Sequence, residues 1–334
     1  RRQRQMCIRD RGEGGDDTFF ASAGLDTMDG GLGADTVNYS LIAGVTGISV
    51  QLNGATDAVI NVTGGDNAII RNIENVVGTG GADVLRGDAL VNTLDGGAGA
   101  DTIYGGNSSD VPIGGAGIDQ LRFDDLSGAG VTLNLSTSTA LFSGDGSTDT
   151  FSLFENYFLS NQADALIGST GSDSVDGLGG DDMFNASAGT DTFEGGAGTD
   201  TVNYALLGIN FISVTLNGSS DALITVNGGD NDTVRNVENV IGSAGNDIII
   251  GDALANVLNG GVGLDTLDGA GGADYLLGDA GNDLLLGSEG SDTFDGGADV
   301  DTLDYSAQAG VTGVGVRLSG ATFASVTLSG SDND

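Results

Sequence analysis

Between Gly242 and Asp304 an acid or amide recurs at every ninth residue: Asp247, Asn256, Asp265, Asp274, Asp283, Asp292 and Asp301. Carboxylates in such a series suit the holding of hard cations by oxygen. Stacked carboxylates repel one another unless positive charge lies between them. Calcium takes six to eight oxygens, which carboxylates and turn carbonyls can supply together, whereas magnesium wants tight octahedral geometry and keeps its waters. Zinc fits less well, because the chain has no His and its single Cys, Cys7, lies outside the series. The expected cofactor is Ca2+, in multiple copies. Other chemistries find little support. Without His there is no HExxH zinc site and no Ser-His-Asp triad, and no GxSxG elbow occurs. A carboxylate pair for glycoside cleavage is allowed by residue type, but Asp is so abundant that no pair stands out. The chain reads as a non-enzyme.

The elements that position these acids follow from the same period. Two places after each comes a large apolar residue: Ile249, Leu258, Leu267, Leu276, Leu285, Phe294 and Leu303. Small residues, mostly Gly, fill the front of each unit, where they allow backbone angles closed to other residues. A period of nine matches neither a helical heptad nor a hairpin. It predicts an all-β fold, a parallel β-roll or β-solenoid, in which six positions form a turn and three a short strand. Two units complete a coil, so Asp265 is expected to face Asp283 and Asp274 to face Asp292 along opposite edges. One inward side chain per unit makes a thin core, so metal is expected to hold neighbouring coils together.

The units GGVGLDTLD at 260–268 and GGLGADTVN at 30–38 resemble the RTX family of hemolysin-type calcium-binding nonapeptides, GGxGxDxUx. The resemblance extends over nearly the whole chain after residue 11. It implies a secreted, extracellular bacterial protein, exported by a one-step (type I) route, whose repeats fold on extracellular calcium.

Four blocks of units carry the series. The first, 12–38, contributes Asp17, Asp26 and Asp35. The second, 78–122, contributes Asp83, Asn92, Asp101, Asp110 and Asp119, with Pro112 in place of the inward residue, where an imperfect coil is expected. The third, 160–203, contributes Asp164, Asp173, Asp182, Asp191 and Asp200, and the fourth is 242–304. Pairing turns eighteen apart allows at most twelve complete metal sites.

Between the blocks lie β inserts at 39–77, 123–159 and 204–241, with a truncated one at 305–334. Each opens on an aromatic residue four places after the last acid: Tyr39, Phe123, Tyr204 and Tyr305. An alternating strand follows, as in Ile48–Leu52, Phe211–Leu216 and Val314–Leu318. Three inserts close on Glu-Asn, and Glu74, Glu155 and Glu238 fall in the aspartate phase of the next block, nine residues before Asp83, Asp164 and Asp247. The inserts are therefore expected to return the chain to the roll in register, and a metal role for the three glutamates stays open beside a capping one.

Residues 1–11, RRQRQMCIRDR, differ in composition from the rest and read as a non-native or unstructured tail. Both ends look cut, as in a fragment of a longer protein. Of the 48 acids, 42 are Asp, which suits turns and oxygen cages. Beyond residue 11 five arginines face 47 acids, a balance that repels nucleic acid and anionic lipid and opposes compaction without counter-charge. With one Cys no internal disulfide forms, and no run of 18 apolar residues marks a membrane span. Calcium ions are the partners expected, and the sequence names no cell-surface or polysaccharide partner. Two classes of function stay open: a structural, adhesive or secretion-assisting repeat region, or the C-terminal module of a secreted protease, lipase, toxin or polysaccharide-modifying enzyme.

Overall fold

The unit of nine appears as a turn followed by a three-residue strand, such as Thr27–Asp29, Thr36–Asn38 or Thr266–Asp268. The computed structural model describes residues 9–22, 24–128 and 130–307, with the backbone of Val314–Arg317 and Ser325–Leu328. Helix is absent from the described residues. In the short strands of the repeat units the middle side chain points inward: Val37, Val76, Leu94, Val240, Leu258 and Leu276 are fully buried. Burying one such side chain is worth about 1.5–3 kcal/mol, so the column contributes substantially even at one residue per strand.

The chain divides into two units, Arg1–Gln162 and Ala163–Asp334. In the first, strands Thr18–Phe20, Thr36–Asn38, Asn75–Val77, Thr93–Gly99 and Val111–Gly117 form one parallel sheet. In the second unit Ala165–Ile167, Met183–Asn185, Thr201–Asn203, Asn239–Ile241, Val257–Asn259, Tyr275–Leu277 and Thr293–Asp295 do the same. Within a block the register steps by eighteen residues, as in Thr93↔Val111 and Thr266↔Leu284, which places two units in each coil.

The inserts interrupt one sheet and leave the other running. In the second unit Thr192–Glu194 pairs parallel with Asp232–Arg235, which pairs antiparallel with Ala222–Val226. That strand pairs antiparallel with Ile212–Thr215, which continues parallel into Ile248–Ile250. On the other sheet Thr201–Asn203 passes directly to Asn239–Ile241. The first insert repeats this plan with Ala68–Arg71, Ala58–Thr63 and Gly47–Gln51. The alternating strands thicken the interior, with Ile48, Val50, Ile60, Ile70, Ile212, Val214 and Ile224 all buried. The thin core expected from the repeats alone therefore holds for the blocks and not for the inserts.

Three expectations meet the structure differently. Arg9–Arg11, assigned to a tail outside the fold, forms a strand parallel to Thr27–Asp29, one coil's spacing ahead of it; Arg11 Nε lies 3.5 Å from Asp29 Oδ2. Residues 1–8, including Cys7, lie outside the described residues. Pro112 sits buried in full register with Leu94, and its carbonyl still accepts a bond from Ser152 N at 3.2 Å. On that far side, however, pairing shrinks to a single bridge, Ile113↔Ser152, as a missing N–H donor requires. In the last insert Val314–Arg317 pairs antiparallel with Ser325–Leu328, and Leu318 lies outside the described residues.

Candidate metal centre

Within each block every aspartate from the third unit onward ties its own coil to the preceding one. Its Oδ1 accepts a hydrogen bond from the backbone N–H of the acid eighteen residues earlier: Asp35 from Asp17, Asp101 from Asp83 and Asp119 from Asp101, at 2.7–2.8 Å. The second unit repeats this at Asp182 from Asp164, Asp191 from Asp173, Asp200 from Asp182, Asp265 from Asp247 and Asp283 from Asp265, at 2.8–2.9 Å. Asp110 and Asp274 serve Asn92 and Asn256 at 2.8 Å, while Asp292 and the half-buried Asp301 serve Asp274 and Asp283 at 3.1 Å. Where a block ends, the insert provides the acceptor. Glu74, Glu155 and Glu238 offer Oε2 to Asp35 N, Asp119 N and Asp200 N at 2.8 Å.

The other oxygen, Oδ2, distinguishes two kinds of rung. At Asp26, Asp83, Asp173, Asp191, Asp247 and Asp292 the residue four places earlier is Ser or Thr, and it closes the carboxylate. Thr79 donates N–H to Asp83 Oδ2 at 2.6 Å and its hydroxyl to Oδ1 at 3.0 Å. Ser243 does the same for Asp247 at 2.6 and 2.9 Å, and Ser169 for Asp173 at 2.7 and 2.8 Å. Ser22, Ser187 and Ser288 reach Oδ2 of Asp26, Asp191 and Asp292 through their hydroxyls at 3.0, 3.0 and 2.9 Å. Asn92 and Asn256 accept from Asp88 N and Asp252 N and donate to the carbonyls of Glu74 and Glu238.

At Asp17, Asp35, Asp101, Asp110, Asp119, Asp182, Asp200, Asp265, Asp274 and Asp283, Oδ2 is buried with no hydrogen-bond partner. At every one of these the residue four places earlier has positive φ. Six are glycines, such as Gly97 at 95° and Gly261 at 92°, but Glu13, Leu178, Ala270 and Asp279 adopt 71°, 66°, 66° and 66°. Non-glycine residues enter this region only at a cost, so the turn itself enforces the conformation, and there no N–H bonds to Oδ2. The corner facing the orphaned oxygen is also lined by the next coil's backbone. A β-carbon added at Gly96 would lie 2.4 Å from Asp101 Oδ2 and 2.6 Å from the carbonyl oxygen of Gly114. Buried oxygens without donors are costly, and a cation that takes carboxylate and carbonyl oxygens would satisfy them. No three His, Cys, Asp or Glu side chains converge on one point among the described residues. A bound ion would therefore draw much of its shell from backbone.

The profile described as RTX calcium-binding nonapeptide repeat (four copies) matches residues 11–39, 72–121, 160–202 and 241–310 in overlapping segments, more than half of the chain. The chain belongs to the RTX calcium-binding repeat family. These repeats bind calcium ions. No curated protein matches the chain.

Within this RTX region burial raises the aspartate carboxyls strongly. Asp101, Asp265 and Asp274 rise to about 7, and Asp110 and Asp182 to about 8. Desolvation is the largest cause, and neighbouring carboxylates add to it, while the N–H from the preceding coil pulls the other way.

The repeat phase did not reveal two insert aspartates. Asp149 Oδ1 accepts Asp110 N at 2.7 Å, and Asp232 Oδ1 accepts Asp191 N at 2.8 Å, so both extend the series from within hairpins. They stand 39 and 41 residues from their partners, distances set by the hairpins and not by the repeat. A shared signal existed: each lies six places ahead of the insert's glutamate, where the first insert has Ala68.

Proposed function

We propose that this RTX region is a cation-assembled spacer of a secreted protein, structural or adhesive in role or assisting secretion, which stays open at low calcium and folds outside the cell. The observation that carries the reading is the row of buried Oδ2 atoms left without donors. Calcium is held at those rungs, between each open carboxylate and the turn backbone of the following coil, while Ser- and Thr-closed rungs need none. Metal binding then becomes folding free energy. Extracellular sites of this kind fill at about 10⁻⁴–10⁻³ M, which matches a switch between cytosol and exterior. Among the described residues no helix is long and apolar enough to cross a membrane. Arg71, Arg86, Arg122 and Arg235 are each paired with acids, which favours calcium over anionic sugars as ligand.

The test compares Asp274→Ala with Asp221→Ala in calcium titrations followed by circular dichroism. Asp274 is an open rung, and its loss also strands Asn256 N–H, worth about 1–3 kcal/mol by itself. The midpoint for Asp274→Ala is expected to rise at least about fivefold. Asp221 is exposed and faces Arg235 at 3.4 Å, a surface pair of small value, so its midpoint should stay at wild type. Equal shifts in the two variants would show that the nine-residue phase does not place the ligands.

A further inference from the structure

The three complete inserts carry the same pair of positions in three different states. One position is the aromatic residue four places after the block's last acid, whose N–H donates to the carbonyl of Val77, Phe158 or Ile241, three places after the insert's glutamate. The other lies six places before that glutamate and pairs with the block's penultimate acid. In the third insert these are Tyr204 and Asp232, and the Tyr204 hydroxyl donates to Asp232 Oδ2 at 2.5 Å, so the carboxylate is complete. In the first they are Tyr39 and Ala68, and the Tyr39 hydroxyl is buried with no partner. In the second they are Phe123 and Asp149, and Asp149 Oδ2 is the atom left without one.

Asp149 is fully buried and Asp110 is 1% exposed, and both leave Oδ2 unpartnered. The two oxygens converge. A β-carbon added at Gly105 would lie 2.7 Å from Asp149 Oδ2 and 3.2 Å from Asp110 Oδ2. At Gly96, the preceding unit's equivalent, the neighbouring coil contributes a carbonyl oxygen to this corner; here it contributes a carboxylate. Asp191, the counterpart of Asp110 in the second unit, is closed by Ser187, so both members of that pair are satisfied by hydroxyls.

We infer that Asp110 and Asp149 form a divalent-cation site between the second block and its insert, one outside the repeat period, and that the corresponding Asp191–Asp232 pair holds none. Two carboxylates at one corner give a hard oxygen site suited to calcium, with carbonyls and water completing the shell. The inference rests on the calcium reading of the repeats. It gives the Asp110 rung a second carboxylate in place of a turn carbonyl, drawn from residues 123–159, which the family profile does not match.

The full chain is dialysed against radioactive calcium at a concentration that just saturates the wild type, and bound ions per chain are counted. Asp149→Asn, which keeps an acceptor for Asp110 N–H, is expected to bind one ion fewer. Phe123→Tyr restores the aromatic of the sister inserts, brings a hydroxyl to Asp149, and should lose the same ion. Asp232→Asn should match the wild type. Circular dichroism in saturating calcium confirms that each variant folds. Wild-type counts in both Asp149→Asn and Phe123→Tyr would overturn the site while leaving the repeats' calcium intact. A wild type that binds no calcium would overturn the reading of the repeats as well.

Discussion

Chelation of the folded chain is expected to abolish most of its strand signal, and calcium, but not magnesium at equal concentration, to restore it. The size of the effect follows from addition over many weak sites. A site at tenfold excess of ligand over Kd contributes about 1.4 kcal/mol, and ten rungs carry an orphaned Oδ2 within the repeat series. A domain's whole stability is about 5–15 kcal/mol, so the cations together match it. Their removal also restores repulsion in a chain of net charge −38. The inserts, with their alternating buried strands and hydroxyl-closed rungs, should retain the most order. Circular dichroism before and after exhaustive chelation checks this, and an unchanged spectrum would sink the claim that metal joins the coils.

In the absence of calcium, acidification from pH 8 to pH 5 is expected to order the chain. The folded carboxyls of Asp101, Asp265 and Asp274 lie at about 7 and those of Asp110 and Asp182 at about 8, because burial disfavours their charge. The unfolded chain's aspartates titrate near 3.9. Between about pH 4 and pH 8 the folded state therefore binds more protons than the unfolded one, and its stability falls as pH rises. Each raised carboxyl adds to that slope, so the dependence is steep. Protons here act as poor substitutes for calcium, neutralising Oδ2 without joining coils. Two measurements check it: strand content against pH in chelator, and proton release on calcium addition at pH 5, where the metal-free chain is ordered and its buried carboxyls hold protons that the metal displaces. A metal-free chain that becomes less ordered on acidification would contradict the burial of these groups.

Much of this architecture was legible because the period of nine fixes both chemistry and geometry. Asp265 and Leu267 recur together, so the aspartate column and the core column could be read from the same count. Glu74, Glu155 and Glu238 were legible for the same reason, since each insert returns to phase on its glutamate. Asp149 and Asp232 were not, because hairpins of differing length separate them from Asp110 and Asp191 and erase the period. The division into open and closed rungs was written in the sequence, in Thr79 before Asp83 or Ser243 before Asp247, but small residues at turn fronts read alike until hydrogen bonds distinguish them. Leu178 and Ala270 would not have been assigned to left-handed positions, which the turn imposes against local preference.

The Oδ1 bonds run from one coil to the one before it, and the insert's glutamate receives the last donor of one edge in each of the first three blocks. Each coil thus offers its successor the same surface it met in its predecessor. A duplication or deletion of eighteen residues inside a block changes the number of its coils without creating any new kind of contact. A change of nine moves every later turn to the other edge and meets the insert from its wrong side. Length can therefore drift by whole coils while the hairpins stay in place, which makes the blocks the part of this chain free to grow.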